Sequence, residues 1–335
     1  IHNSGANQIL LGISKNPNSA ITELNLLSTS LIDSEYLDEF CKKPPKNLKS
    51  LSLSEALLGS MGRYGANGED KYSLQTLCNF LERNTSLESL NVSENGISDL
   101  WASKISLAIK ANPNSKLKEL NLSDNSFQLK DVESLIDLVS TNTTIESLNI
   151  SQIFILSYML IESNEALGLK LVEAVAKNPN SALKKLILSK NNISAEGLAR
   201  IFAVVKNTNI ESIDLSDNNK ICEDAISFES LTELLATNKI KHLNLANNHI
   251  RGDKFGKALA NGLKVNNSLE MLNLAGNYAS VGGEIAVESS LQLVDINLAR
   301  CQVDCKELAS ILSRTKTLKK LSLQDYHMFY TDMDA

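Results

Sequence analysis

LESLNVSENGI, Leu87 to Ile97, places apolar residues at 87, 90, 92 and 97 and an asparagine at 95. The phrase returns as LKELNLSDNSF from Leu117, LKKLILSKNNI from Leu183 and IKHLNLANNHI from Ile240. The shared pattern is L-x-x-L-x-L-x-x-N-x-Φ, with Φ apolar. Alternate side chains of a strand face opposite sides. Leu90 and Val92 therefore point one way, and Ser89, Asn91 and Ser93 the other. The same alternation holds for Leu120 and Leu122, Leu186 and Leu188, and Leu243 and Leu245.

Aligned on its first apolar position, the pattern begins at Ile21, Leu48, Leu87, Leu117, Ile145, Leu183, Ile210, Ile240, Leu269, Leu293 and Leu318. The intervals run from 24 to 39 residues. Each interval has room for a strand, a turn and a helix. The connecting segments agree: SDLWASKISLAIKANPNS, KDVESLIDLVSTN, SAEGLARIFAVVKNTN and CKELASILSRTKT carry apolar residues three and four apart, the helical period. Asn-Pro-Asn-Ser begins at Asn16, Asn112 and Asn178. A residue before proline is pushed out of the helical region, so each of these helices is expected to stop there.

These features resemble the leucine-rich-repeat family, and within it the ribonuclease-inhibitor-like subfamily. The resemblance implies an α/β solenoid, a horseshoe of about eleven repeats with a parallel β-sheet on the concave face and α-helices on the convex face. It also implies that Asn95, Asn125, Asn191, Asn248 and Asn277 are rungs whose side chains hydrogen-bond backbone groups of the turn. Cysteine stands at this position in Cys301, a swap that the repeat pattern allows.

The unbroken repeat argues for a single domain over 1–335. Residues 1–20 read as an N-terminal helix or truncated repeat, 21–325 as the repeats and 326–335 as a C-terminal cap. Two intervals are about ten residues too long. One surrounds Gly59 to Ser73, with glycines at 59, 62, 65 and 68. It lacks the Gly-Lys-Ser/Thr of a phosphate-binding loop and reads as a surface loop. The other is SQIFILSYMLIESNEALG, Ser151 to Gly168. Its apolar run Ile153 to Ile161 is too short to span a bilayer. It reads either as an added helix packed on the solenoid or as an exposed apolar patch. At the far end Tyr326, Met328, Phe329 and Tyr330 are expected to fold over the last repeat, as terminal repeats need caps.

The formal net charge is −6, with 21% charged and 43% hydrophobic residues. Nucleic-acid binding is dominated by basic residues meeting phosphates, so no nucleic acid is expected as partner. No signal peptide or membrane span is read. The five cysteines, Cys41, Cys78, Cys222, Cys301 and Cys305, are odd in number and dispersed. That points to a reducing, cytoplasmic setting rather than a disulfide framework. Cys301 and Cys305 lack a second ligand pair for zinc. The bias toward Asn, Lys, Ile and Ser suits an AT-rich genome and prompts the reading of an effector that an intracellular bacterium delivers into the host cytosol.

Function in such a fold is expected on the outward side chains of the strands. One outward column reads Asn25, Ser52, Asn91, Asn121, Asn149, Ile187, Asp214, Asn244, Asn273, Asn297 and Ser322. The next reads Leu27, Ser54, Ser93, Ser123, Ser151, Ser189, Ser216, Ala246, Ala275, Ala299 and Gln324. Such rows of Asn and Ser can hydrogen-bond laterally. Binding hot spots favour Trp, Tyr and Arg, which these columns lack, so the flanking positions draw attention. Glu94, Glu119 and Asp124 form an acidic group on adjacent repeats, and Lys185 and Lys190 a basic one. Asp214 and Asp217 return to acidic, and Arg300 and Lys320 to basic. Blocks of alternating charge set register and speed capture of a protein partner. Ile187, His242 and Met271 are the least expected residues on this face and join the candidate contacts.

Catalysis is not expected. His2, His242, His249 and His327 stand in no H-E-x-x-H arrangement. Ser212, Asp214 and His242 fall on neighbouring strands, yet that surface is open, with no evident oxyanion donors. No cofactor or metal is implied. The expectation is a monomeric, non-enzymatic module that binds a protein partner along the concave face and edge loops, inhibiting or scaffolding it. The alternative is a regulatory repeat domain of a larger signalling protein or GTPase regulator.

Overall fold

A computed structural model describes residues 3–16, 18–28, 34–56, 75–96, 99–127, 129–155, 163–218, 228–237, 239–250, 253–277, 293–303, 308–309, 312–313, 315–324 and 327–328. By contact the chain divides into two compact units, Ile1–Ser163 with Lys177–Leu183, and Asn164–Ala176 with Lys184–Ala335. The first unit carries α1 (Asn3–Ser14), β1 (Glu23–Asn25), α2 (Ser34–Lys42), β2 (Ser50–Ser52), α3 (Gln75–Leu81), β3 (Ser89–Asn91), α4 (Asp99–Ala111), β4 (Glu119–Asn121), β5 (Ser126–Phe127), α5 (Leu129–Thr141), β6 (Ser147–Asn149) and β7 (Phe154–Ile155). The chain continues with α6 (Ser163–Lys177), β8 (Lys185–Ile187), α7 (Ala195–Val205), β9 (Ser212–Asp214), α8 (Glu229–Ala236), β10 (His242–Asn244), α9 (Asp253–Val265), β11 (Met271–Asn273), β12 (Asp295–Asn297), β13 (Gln302–Val303), β14 (Lys320–Ser322) and β15 (His327–Met328).

Among the described residues the three-residue strands follow chain order in each unit's sheet: β1, β2, β3, β4 and β6 in the first, and β8 to β12 with β14 in the second. The pairings within each unit are parallel. They keep one register, with Leu90 opposite Leu120 and Leu120 opposite Leu148. This is the expected α/β repeat solenoid. The inward leucines stack into the core: Leu90, Leu120, Leu148, Leu186 and Leu243 are buried, as are Val92, Leu122, Leu188 and Leu245 one layer on.

Hydrogen-bond accounting explains why the strands that end in asparagine, such as β3, stop after three residues. In a strand, successive N–H groups point to opposite neighbours. Ser89 donates to Lys49 O at 2.9 Å on one side, and Val92 to Asn121 O at 3.0 Å on the other. Ser93 would next donate to Leu53 O, but Asn95 Nδ2 already holds that carbonyl at 2.8 Å. Asn91 resolves the conflict, because its Oδ1 accepts the Ser93 N–H at 3.0 Å. The pair recurs as Asn121 with Asn125, Asn244 with Asn248 and Asn273 with Asn277. At the cysteine repeat, Cys301 Sγ donates to Leu274 O at 3.0 Å while Asn297 accepts from Ala299. The thiol thus does one job of the asparagine amide.

The rung asparagines are saturated. Asn218, fully buried, donates through Nδ2 to Leu188 O, Leu215 O and Ser216 O at 3.2, 2.8 and 3.2 Å. Its Oδ1 accepts from Asn191 N and Ile193 N at 2.9 and 3.1 Å. Its own N–H passes to Asn248 Oδ1, and Asn248 in turn to Asn277. In the first unit Asn95 donates its N–H to Asn125 in the same way. The structural role that the repeat implies is therefore observed at Asn95, Asn125, Asn248 and Asn277.

A second asparagine series closes the helices. The last carbonyls of a helix have no intrahelical partner. Asn112 Nδ2 takes Leu81 O and Asn84 O of the preceding repeat at 2.8 and 2.7 Å. Asn178 takes Val139 O and Asn142 O, and Asn266 takes Leu235 O. So the first asparagine of Asn-Pro-Asn-Ser both ends its own helix and caps its neighbour's. The helices bury one stripe each, such as Ala102, Ile105, Ala108 and Ile109 of α4 and Leu198, Ile201, Phe202 and Val205 of α7. Ser194 caps α7, its Oγ accepting the Gly197 N–H at 3.1 Å.

The second long interval differs from expectation where it is described. Ile153 is buried. Phe154 and Ile155 form β7, paired with Ser126 and Phe127 of β5. From Ser163 the chain is already the repeat helix α6. A short strand therefore takes the start of the run that read as an added helix or an exposed apolar patch, and 156–162, the rest of that run, lie outside the described residues. Gly59 to Ser73 and Tyr326, Phe329 and Tyr330 lie outside the described residues. Met328 pairs through its backbone with Val303. The helix expected near the N-terminus is α1, with Ala6, Leu10 and Ile13 buried.

Candidate functional site

Each repeat offers the same outward positions, set by strand register. The residue just before the strand alternates in charge over four successive repeats of each unit. The sequence reading overlooked this, although aligning the repeats lays it bare. In the first unit the row is Lys49, Glu88, Lys118 and Glu146, with Lys49–Glu88 at 3.3 Å and Lys118–Glu88 at 2.9 Å. In the second it is Lys184, Glu211, Lys241 and Glu270, with Lys241–Glu211 at 2.7 Å. Hydrogen bonds from Lys118 and then Lys49 hold the Glu88 carboxyl below the usual range, and Glu88 raises Lys118 in return. Glu211 and Lys241 repeat the relation. Exposed pairs of this kind add little stability; they neutralise one edge of the sheet.

The first strand position holds Glu119, Lys185, His242 and Met271. Glu119 accepts from Ser89 Oγ at 3.0 Å. His242 stands opposite Met271 in register, and its Nε2 lies 4.0 Å from Glu270 Oε2. Met271 is 39% exposed. Ile187 and Asp214 are partners in the central column.

Glu94, Asp124, Lys190, Asp217 and Arg300 share a different position. All five have left-handed backbone, with φ between 55° and 57°. Each immediately precedes a rung residue, where the chain must turn sharply out of the strand. Glu55 belongs to the same column, with φ 55°, and accepts from Ser28 Oγ. Asn247 Nδ2 donates to Asp217 Oδ1 at 3.1 Å.

This placement regroups the sequence candidates. Glu94 and Asp124 are neighbours, joined by Glu55 rather than by Glu119. Glu119 begins its strand five residues before Asp124, roughly 15 Å away along an extended chain. Lys185 and Lys190 are separated in the same manner. The column of Ser and Ala is a packing surface: Ser54, Ser93, Ser123, Ser216 and Ala246 are buried. Lateral bonding is seen there between Ser54 and Ser93, Oγ to Oγ at 2.8 Å. The asparagine column instead bonds its own chain, as described above.

The Ser212, Asp214 and His242 grouping is not assembled. His242 is level with Ser212, but Asp214 Oδ1 is held by Ser216 N–H and Oγ at 2.9 and 2.7 Å. Among the described residues no group of three or more His, Cys, Asp or Glu is placed to hold a metal. No described helix is long and apolar enough to cross a membrane.

Three described cysteines are buried and free: Cys41, Cys78 and Cys301. Burial pushes the Cys301 thiol from 9.0 up to about 11, a backbone hydrogen bond offsetting part of the rise. The unfolded chain therefore ionises first. The stability from this proton is full below pH 9.0 and declines as pH climbs toward about 11. Cys301→Asn installs the amide that the other repeats carry at this position and is expected to remove part of that alkaline loss, read as a smaller drop in urea midpoint across this window.

Three segments, 83–105, 114–135 and 180–202, match a family model described as Leucine Rich repeat. No curated protein sequence matches the chain. Among solved structures, an internalin (InlF) from Listeria monocytogenes is similar over 99% of this chain and 90% of its own, at 18% identity and a TM-score of 0.50. A complex of TLR13 with ssRNA13 is similar over 92% of this chain and 50% of its own, at 14% identity and a TM-score of 0.45. The actin-binding site 2 of leiomodin-1 covers 53% of this chain and 76% of its own, at 18% identity and a TM-score of 0.31. The likeness to the internalin speaks to fold alone.

Proposed function

As a leucine-rich-repeat protein, this chain is, we propose, a non-enzymatic module that binds a protein partner through its strand face and the loops at one edge, and acts by occlusion or scaffolding. The observation that carries this reading is the ordered strand face. Side chains recur there in register, repeat after repeat, and their hydrogen bonds fix backbone rather than assemble a reacting group. Solenoids of this kind expose long surfaces suited to macromolecular partners. A reducing, cytoplasmic setting, including the host cytosol for a delivered effector, is consistent with the buried thiols Cys41, Cys78 and Cys301.

The test is affinity capture from a lysate with mass spectrometry, followed by charge reversal. Glu94→Lys with Asp124→Lys is expected to weaken a basic partner about tenfold, mostly through slower association. Lys190 already occupies the same left-handed position, so the fold tolerates lysine there. Glu119→Lys, at the other end of its strand, is measured separately. Unchanged association in both variants removes the acidic side chains from the interface. Failure to capture any stoichiometric protein removes the interaction reading itself.

A further inference from the structure

We infer that the strand face of the first unit receives an α-helix of the protein partner, laid across the strands and recognised through a row of asparagine amides. This deepens the interaction reading above and rests on it. Asn91, Asn121 and Asn149 lie in one row by register. Each Oδ1 is held by the backbone N–H two residues on, at 3.0, 3.1 and 3.0 Å. Pinning the oxygen sets the direction of the amide nitrogen. Among the described residues none of these three Nδ2 groups donates to a protein acceptor. The row is therefore a preset series of hydrogen-bond donors, and the segment that replaces its water must bring acceptors.

Spacing selects the helix. Adjacent strands lie roughly 4.8 Å apart, so the row spans about 10 Å. One helical turn advances about 5.4 Å, so side chains at i, i+3 or i+4, and i+7 cover about 11 Å and stay in step. An extended segment presents same-side groups about every 6.6 Å and slips by nearly 4 Å over the same row. One flank admits a close approach, and the other is interrupted at its middle strand by the exposed side chain of Glu119. Ser89 and Ser147 border the row on one side beside Glu119, and buried Ser93 and Ser123 on the other. In the second unit the matching row, Asn244, Asn273 and Asn297, is walled by His242 and Met271. Glu119 and the net charge of −6 favour neutral acceptors, glutamine or asparagine, over carboxylates.

The test separates the two ends of the amide. Asp214 occupies this column in the second unit and accepts from Ser216 N–H and Oγ, as Asn149 accepts from Ser151. Asparagine-to-aspartate exchange therefore keeps the structural oxygen and removes the donor. A display library on a single-helix scaffold, randomised along one face, is panned against the full chain. Binders are expected to carry Gln or Asn at i, i+3 or i+4, and i+7. They are expected to bind N91D/N121D/N149D at least tenfold more weakly and N244D/N273D/N297D unchanged. If the first triple variant does not fold, Asn121→Asp alone is expected to weaken binding about threefold. Binders lacking that spacing, binders indifferent to these substitutions, or no binders at all overturn the proposal. A natural partner that is captured yet insensitive to them also overturns it while leaving the interaction reading in place.

Discussion

Asn218→Ala is expected to cost about 3–5 kcal/mol of folding stability, the largest single-site loss anticipated outside the leucine core. The side chain is fully buried and satisfies five backbone groups: the carbonyls of Leu188, Leu215 and Ser216 and the N–H groups of Asn191 and Ile193. A buried polar group left unpaired costs about 1–3 kcal/mol, and partial relaxation or an entering water keeps the sum below the simple total. The damage crosses the repeat boundary, since two of the orphaned N–H groups belong to the preceding turn. Urea denaturation measures it directly. A loss under about 1 kcal/mol would mean that the turn finds substitute partners and that the ladder is not what holds it.

Leu120→Ala is expected to cost about 2–5 kcal/mol, the range for removing a buried leucine and leaving a partial cavity. Leu120 is 2% exposed, with Leu90 and Leu148 level with it on either side. In a stacked array each repeat is stabilised by its two neighbours, so both interfaces lose contact at once. Leu24 of β1 provides the control. It is only half-buried and is paired with Leu51 on one side, so the same truncation there is expected to cost clearly less. Equal losses at the two positions would show that stacking does not govern the energetics of this sheet.

The sequence was most readable where one residue type served one geometric role. Leucines at period two could only line a core, and apolar residues at three and four could only be a helical stripe. The candidate contacts were less readable, because their grouping depends on distance along the strand rather than on repeat number. Glu94, Glu119 and Asp124 look adjacent when repeats are stacked as text. Five residues of extended backbone separate Glu119 from the turn position that the other two share. The serine column misled for a different reason. Serine is polar enough to face water and small enough to pack beneath a turn, and here Ser54, Ser93 and Ser123 are buried.

Local periodicity determined the repeat, its boundaries, the core layer and the rung positions, because each follows from side-chain alternation and from what a buried backbone demands. Only the tertiary structure decided what the polar columns do. An asparagine amide has an accepting end and a donating end, and its sequence position does not say which is occupied. Asn95 Nδ2 reaches the Leu53 carbonyl across a repeat boundary. That contact strands the Ser93 N–H, and Asn91 must then turn its oxygen inward to accept it. Its nitrogen is directed by that bond. Such an outcome depends on competition among groups distant in the chain, which becomes definite once the strands are stacked in register.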